Sequence, residues 1–372
     1  MKRVVILGST GSIGCNAIRV IKQLKDYRIT GLAAYENHRL LVKQTQELKP
    51  EIVTIIDKRF HKRIKAQLGQ TRVLSGEEGI AEMIRTLDAD TVICALASAI
   101  GIKGVLLSIE KTMQICLATK EILVNFGHLV MEAVRRNRVS LIPIDSEHSA
   151  IYQCLEGKNR QDVMNIILTA SGGPFFKKSI RNVSKEDVLN HPVWKMGKKI
   201  TVDSATMMNK GLEVIEAHHL FSFPANMIKV VIHPEAICHS LVQFKDGTML
   251  AQLSTPDMKL PIQYALTAPR RLTSSTSYLD ITKVRNLTFM TPNDRKFPCL
   301  GLAYKALEIG KTMPAVINTA NEEAVKLFLN DRIKFHEIPR IIERVMAKHQ
   351  PLDGGLEQYL GAIEWAREQV RN

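Results

Sequence analysis

Two carboxylates and a hydroxyl, Asp145, Ser146 and Glu147, follow an apolar run, Val139–Ile144, that reads as a strand. Residues two apart on an extended segment project the same way. Asp145 and Glu147 are therefore expected to face one hard cation, with Ser146 turned toward another ligand group. A solvated acidic loop is the bland alternative, and the neighbouring His148 suits packing behind the site better than metal ligation. A third carboxylate stands in Asp203-Ser204-Ala-Thr-Met-Met-Asn209-Lys210-Gly-Leu-Glu213. Read as one helix, this stretch has Ser204 as its cap, a terminus that favours an anion, and Asn209 and Glu213 on one face at i and i+4. Such a helix could hold phosphate at its start and metal a few turns on, whereas Met207, Met208, Leu212 and Ile215 read as core.

Backbone rather than side chains carries the next signal. Gly8-Ser-Thr-Gly11-Ser-Ile-Gly14 ends the apolar run Val4–Leu7 and leads into an amphipathic stretch with Ala17, Ile18, Val20, Ile21 and Leu24. In such a strand, glycine turn and helix, bare N–H groups cradle a pyrophosphate, and Thr10, Gly11, Ser12 and Ile13 are the residues that would face it. A tight turn that binds nothing is the alternative. About 22 residues beyond Gly14 comes Tyr35-Glu36-Asn37-His38-Arg39, at a strand tip of the kind that reads an adenosine ribose. Glu36 argues for the free hydroxyls of NAD, while Arg39 and His38 argue for the 2′-phosphate of NADP. Ser171-Gly172-Gly173-Pro174 is a second possible anion cradle or an empty structural turn. The loop His191-Pro-Val-Trp194-Lys-Met196-Gly197 suits either a lid that excludes water or a segment anchored to the core through Trp194.

The elements that must position these residues are legible from periodicity. Through about residue 145, short Val/Ile-rich runs (Val4–Leu7, Ile29–Ala34, Ile52–Ile56, Thr91–Leu96, Gln114–Ala118 and Val139–Ile144) alternate with helix-period segments. That rhythm predicts a parallel sheet covered by helices. The next block adds β-rich runs at Asn165–Thr169, Ile228–Ile232, Ser240–Phe244 and Met249–Leu253; beyond Pro298 the pattern turns helical, as in Asn321–Leu329 and Ile338–Lys348. The expected fold is α/β: an N-terminal Rossmann-like parallel-sheet domain (1–145), a central α/β catalytic domain (146–272), a linker (273–297) and a C-terminal helical domain (298–372).

Composition excludes some partners and leaves others. No apolar stretch approaches the roughly 20 residues needed to cross a bilayer, so no membrane is expected. Six scattered cysteines form no Cys-x-x-Cys pair and read as reduced, mostly buried thiols of a cytoplasmic protein. A formal net charge of +14 points to anionic partners. The densest basic cluster, Lys58, Arg59, Lys62, Arg63 and Lys65, lacks interleaved aromatics and reads as a solvated helix face rather than a nucleic-acid patch. A small phosphorylated metabolite is the better match.

Taken together, these residues resemble the 1-deoxy-D-xylulose 5-phosphate reductoisomerase family over nearly the whole chain. The likeness rests on Gly8–Gly14, Lys120-Glu121, Asp145–His148, Ser171–Pro174, His191-Pro-x-Trp194-x-Met-Gly197, Val202–Glu213 and Ala320-Asn-Glu-Glu-Ala324, in order. The resemblance implies that Asp145, Glu147 and Glu213 bind Mg²⁺ or Mn²⁺. It implies that Ser171, Ser204, Asn209 and Lys210 hold the substrate phosphate, that Ser146 and Lys120 contact its oxygenated carbons, and that His191, Trp194 and Met196 form a closing flap. Thr10, Gly11, Ser12, Ile13, Glu36, Asn37, Thr119, Glu121 and Gly197 fall at positions near the nicotinamide cofactor. Lys120, Asp145, Glu147, His191 and Glu213 would carry catalysis. The implied activity is NADPH-dependent rearrangement of 1-deoxy-D-xylulose 5-phosphate, by carbon–carbon cleavage and re-formation, and reduction to 2-C-methyl-D-erythritol 4-phosphate in the non-mevalonate isoprenoid pathway, by a homodimer. Two positions depart from the family pattern, Tyr35-Glu36-Asn37 at the ribose-reading turn and Thr119 before Lys120, and both bear on the cofactor. An NAD(P)-dependent dehydrogenase of a semialdehyde or hydroxy acid is the rival reading, but it needs no three-carboxylate site; a silent nucleotide sensor would explain only the glycine turn.

Overall fold

The structure is a computed structural model, and it describes residues 1–96, 101–178, 180, 183–190 and 197–371. The flap residues His191, Trp194 and Met196 lie outside the described residues. The strands are β1 (Lys2–Leu7), β2 (Tyr27–Ala34), β3 (Ile52–Ile55), β4 (Arg72–Ser75), β5 (Thr91–Cys94), β6 (Gln114–Leu117), β7 (Ser140–Pro143), β8 (Val163–Ala170), β9 (Ile228–Ile232), β10 (Cys238–Phe244) and β11 (Met249–Leu253). The first helices are α1 (Ser12–Ile21), α2 (His38–Leu48), α3 (His61–Leu68), α4 (Gly76–Thr86), α5 (Ile102–Lys111), α6 (Lys120–Asn137) and α7 (Ser146–Leu155). After them come α8 (Lys185–Leu189), α9 (Lys198–Thr206), α10 (Met208–Phe221), α11 (Lys259–Thr267), α12 (Pro298–Ile309), α13 (Met313–Leu329), α14 (Ile338–Lys348) and α15 (Leu356–Arg371).

These elements form two compact units, each built from several stretches of chain. The first comprises residues 1–122, 130–152 and 257–277; the second comprises 123–129, 153–256 and 278–372. In the first unit a seven-stranded sheet runs β4-β3-β2-β1-β5-β6-β7, parallel throughout. Its central strands are apolar because helices cover both faces: Val4, Val5 and Ile6 are fully buried. The chain builds outward from β1 through β4, then restarts at β5 on the other side. Strand order therefore reverses between β1 and β5, where ligands of open parallel sheets bind. Strand β4 is absent from the sequence reading because it is a four-residue edge strand with Arg72 and Ser75 at its ends, too short and polar to leave a period. Helix α11 returns to this unit, burying Ile262, Ala265 and Leu266 in the core that Ile18 and Ile21 of α1 also enter. There the Tyr27 hydroxyl donates to the Leu266 carbonyl at 2.6 Å.

The second unit carries a four-stranded sheet, β11-β10-β8-β9, with only β8 and β9 parallel. Joining parallel neighbours needs a long crossover, and α8, α9 and α10 lie within it. Helix α14 keeps the expected bounds and buries Ile338, Ile342 and Val345. Helix α13 begins well before the expected Asn321, because Ala315, Val316, Ile317 and Ala320 are all buried and such an all-round apolar stretch shows no amphipathic period. Also in this unit, α6 kinks at Phe126, and the His219 ring occupies the place of a side chain at Gly127, 2.2 Å from where a Cβ would stand. Burial, with His218 and His128 nearby, pushes His219 down to about 3, so it is neutral at physiological pH. All six cysteines are unpaired and five are buried, and burial pushes the Cys116 and Cys299 thiols up to about 12. They are inert structural thiols. Among the described residues no helix is long and apolar enough to cross a membrane.

Candidate active site

The glycine turn of the first unit lies between β1 and α1, at the point where strand order reverses. Gly8 has φ +98°, and a Cβ there would meet the Ala95 carbonyl oxygen at 2.2 Å. A Cβ on Gly14 would stand 2.2 Å from the Gly8 carbonyl oxygen and 2.6 Å from Ser9 Cα. Only glycine lets the turn close against the end of β5 and the helix close against the turn. Gly11 occupies the N-cap position of α1 without a side-chain cap, and Gly11 and Ser12 are exposed. The first N–H groups of the helix are thus presented outward, as anion binding requires.

At the ribose-reading turn, Tyr35, Glu36 and Asn37 are exposed. Asn37 caps α2, its side-chain oxygen accepting from the Leu40 N–H at 3.2 Å. His38 stacks on Phe60, with ring centroids 4.2 Å apart and planes inclined by 13°. Thr119, at the N-cap position of α6, donates its hydroxyl to the Leu96 carbonyl at 2.8 Å and so ties the start of α6 to the end of β5.

At the ends of β6 and β7 the same unit gathers Lys120, Asp145, Ser146 and Glu147. Lys120 Nζ lies 2.6 Å from Asp145 Oδ2, with both side chains mostly buried. The Ser146 hydroxyl donates to Glu147 Oε2 at 2.5 Å. The carboxylates are not, however, on an extended segment. The strand stops at Pro143, Ser146 opens α7, and Asp145 Oδ1 accepts the Ser146 N–H at 3.0 Å. A short polar side chain before a helix satisfies one of its orphan N–H groups, and that local bond outweighs continuation of the strand. Asp145 and Glu147 thus stand at a helix N-terminus, which favours negative charge. His148 is completely buried, with Nδ1 3.9 Å from Asp145 Oδ2.

In the second unit the expected single helix over 203–213 is two, α9 and α10, broken at Met207. Met207 adopts a left-handed conformation (φ 62°), rare for a residue with a long side chain. Packing supplies the reason: Met207 is buried with Ala170, Ile232, Phe297 and Leu300. Ser204 is therefore not the N-cap of a helix. It sits in the last turn of α9, and its carbonyl accepts the Met207 N–H at 3.2 Å. Gly173, with φ +63°, brings the Ser171–Pro174 turn against that carbonyl, since a Cβ at Gly173 would lie 2.8 Å from Ser204 O. The Ser171–Pro174 turn and the stretch at Ser204, each a possible phosphate holder by sequence, thus meet within this unit. On α10, Glu213 is 1% exposed and accepts from Asn209 Nδ2 at 2.6 Å and from Lys210 Nζ. The expected i, i+4 pair is present, with Lys210 as a third member. Gly197 is the N-cap of α9, and among the described residues nothing stands within 4 Å of where its Cβ would be; Glu121 lies in the first turn of α6.

One contributor escaped the sequence reading. Asp203 is 1% exposed, pairs with Lys199 Nζ at 2.9 Å, and accepts from Asn321 Nδ2 at 2.8 Å. Asn321 belongs to the Ala320–Ala324 motif, whose role no local pattern disclosed. It fixes the end of α9, and with it Ser204.

A Rossmann-type sheet with a glycine turn at its switch point, joined in one chain to a unit bearing a buried carboxylate and a second glycine turn, is the architecture of a nucleotide-dependent oxidoreductase. Comparison with known proteins narrows the class. Models of the 1-deoxy-D-xylulose 5-phosphate reductoisomerase match residues 4–127, its C-terminal domain 141–221, and the DXP reductoisomerase C-terminal domain 253–369. A 1-deoxy-D-xylulose 5-phosphate reductoisomerase of Acetivibrio thermocellus is 48% identical over all of this chain and 98% of its own. That of Chlorobium phaeobacteroides is 46% identical over 100% and 99%. The Zymomonas mobilis enzyme in complex with NADPH superposes with a TM-score of 0.94 at 37% identity, covering 99% of this chain and 98% of its own. A reductoisomerase in complex with NADPH, fosmidomycin and magnesium gives 0.94 at 37%, covering 100% and 98%. The chain belongs to the 1-deoxy-D-xylulose 5-phosphate reductoisomerase family.

Proposed function

We propose that the protein converts 1-deoxy-D-xylulose 5-phosphate to 2-C-methyl-D-erythritol 4-phosphate, with NADPH and Mg²⁺ or Mn²⁺, in the non-mevalonate isoprenoid pathway. Residues 1–145 would bind the cofactor, 146–272 metal and substrate, and 298–372, beyond the 273–297 linker, would form a C-terminal helical domain. The observation that carries the reading is Glu213, a buried carboxylate held between Asn209 and Lys210, in the same unit as the glycine turn that meets Ser204. The donor chemistry suits the proposed ligands. Asp145, Glu147 and Glu213 offer hard oxygens of the kind Mg²⁺ and Mn²⁺ prefer, and the open N–H groups after Gly11 suit a pyrophosphate. When bound, the metal polarises the hydroxyketone oxygens so that the carbon skeleton can rearrange, and the reduced nicotinamide supplies the hydride.

The chain's own groups do the rest. Ser171, Ser204, Asn209 and Lys210 would anchor the phosphate, placing the reacting carbons at a fixed distance from it. Lys120, already paired with Asp145, would orient the substrate oxygens together with Ser146, and His191 on the flap would help exclude water. Thr10, Gly11, Ser12, Ile13, Glu36, Asn37, Thr119, Glu121 and Gly197 would line the cofactor. A cytoplasmic homodimer is proposed on the strength of the family resemblance.

The test is an assay of the purified protein with 1-deoxy-D-xylulose 5-phosphate, Mn²⁺ and each reduced nicotinamide, following cofactor oxidation and identifying the product. Metal-dependent formation of the branched tetrol phosphate is expected. Reduction without rearrangement, or full activity after exhaustive chelation, would refute the reading.

A further inference from the structure

Glu36 sets a problem for any cofactor carrying a 2′-phosphate. It is exposed at the tip of β2, where the ribose is read, and a phosphate monoester arrives there with a charge of about −1.5 to −2. Some cation must outweigh it. His38, one candidate by sequence, is engaged in the stack on Phe60. Arg39 is exposed in the first turn of α2, and among the described residues no hydrogen bond or ion pair fixes its long side chain. Ordering it on a ligand would forfeit its rotamer freedom.

A better-placed cation comes from the next strand. After β3 the backbone runs alongside the ribose turn, with the Ile56 N–H donating to the Ala34 carbonyl and the Asp57 N–H to the Tyr35 carbonyl, each at 2.9 Å. Asp57 then grips Arg59 from the side. Its carboxylate accepts from Arg59 Nε at 2.9 Å, from Nη2 at 2.6 Å and from the Arg59 N–H at 3.0 Å. Those bonds use one edge of the guanidinium. The guanidinium lies 5.8 Å from the centre of the Phe60 ring, its other edge, including Nη1, makes no hydrogen bond or ion pair among the described residues, and the side chain is 80% exposed. Arg59 is therefore held by a loop bonded to the ribose turn, with a free donor edge. Hydrogen bonding and charge from Asp57 raise its pKa, and the Glu36 field adds to that. The acid at the ribose turn and this arginine thus lie within electrostatic reach of each other.

We propose that Arg59 is the residue that reads the 2′-phosphate of NADPH in this protein, donating from its free edge while Asp57 holds it in place. A guanidinium fork matches phosphate geometry, and pre-organisation by Asp57 reduces the entropy lost on binding. Arg59 thereby leaves the solvated basic face to which its neighbours Lys62, Arg63 and Lys65 still belong. The proposal rests on the NADPH reading of the preceding subsection.

The test compares kcat/KM for NADPH and NADH, together with direct binding of 2′,5′-ADP and 5′-ADP, in the wild type and in R59A, R39A, E36Q and the double variant R59A/E36Q. Loss of one charge-assisted phosphate contact should lower the NADPH/NADH ratio of R59A at least about tenfold, with NADH constants changed less than about twofold. R39A should change the ratio much less, and E36Q should raise it. The double variant should stay well below E36Q alone. If Glu36→Gln restores the ratio to R59A, Arg59 acts only by neutralising Glu36 and the direct contact is wrong. If wild type prefers NADPH and R59A keeps that preference, Arg59 is not the reader. A wild-type preference for NADH, with 2′,5′-ADP bound no tighter than 5′-ADP, would instead overturn the NADPH reading itself, and this inference with it.

Discussion

The turn after β1 and the break between α9 and α10 are both unusual pieces of backbone, yet they are made in different ways. The first is almost all backbone: Gly8 and Gly14 remove side chains so that turn, strand and helix can touch, and the ligand would meet N–H groups. The second is made of buried charge. Asp203 is held by Lys199 and Asn321, and Glu213 by Asn209 and Lys210, in a unit whose glycine turn meets Ser204. Backbone cradles need no counter-charge and can stand exposed. Buried carboxylates persist only where partners are supplied, because an unpaired charge in such a place is strongly destabilising. The second region is accordingly the more dependent on distant parts of the chain.

Three substitutions probe that contrast. Glu213→Gln keeps the size and the helix but removes the charge on which Asn209 and Lys210 converge, and kcat should fall by at least about 100-fold. NADPH binding, measured by fluorescence titration, should stay within about twofold, because the backbone cradle is untouched. Activity near that of the wild type would remove Glu213 from the metal site. Gly14→Ala is the complementary change. Its Cβ would meet three backbone atoms of the turn, so the turn must shift; NADPH affinity should weaken about tenfold or more, with a stability loss of about 1–3 kcal/mol by thermal melting. Unaltered NADPH affinity would mean that the cofactor does not use this turn.

The smallest effect is expected for Asn321→Ala, which withdraws one of two partners from a buried carboxylate and should cost about 1–3 kcal/mol in denaturant unfolding. Because Asn321 acts through α9 rather than on a ligand, the KM for the sugar phosphate should rise more than the KM for NADPH. A variant as stable as the wild type would show that Lys199 alone suffices for Asp203.

Much of this was legible in residue types alone. The parallel sheet appeared in six of its seven strands, and the strands of the second sheet were found with bounds close to those observed, because an apolar run flanked by turn residues has few other solutions. Strand β4 was invisible because an edge strand of four residues need not be apolar. The family likeness over the full chain was legible for a different reason, since long motifs in a fixed order are rarely accidental. Two local inferences went astray. Asp145 was expected on a strand and instead directly precedes a helix, and Ser204 was expected to cap a helix and instead lies at the end of one. In both, the residue types were compatible with either geometry, and packing around Met207 or a single carboxylate-to-backbone bond settled it.

From the residues in order one could know that β1 runs into a glycine turn and then a helix, and that Asn209 and Glu213 share a helix face. These are matters of local backbone geometry, decided within a few residues by which side chains are present or missing. Other features follow from no stretch of sequence: the junction of Gly173 with Ser204, the bond from Asn321 to Asp203 across 118 residues, and the bond of the Arg59 loop to the ribose turn. Each depends on which partner the folded chain brings within hydrogen-bond reach of a buried or exposed charge. That choice belongs to packing, because a charged side chain specifies the kind of partner it needs but not where in the chain that partner lies.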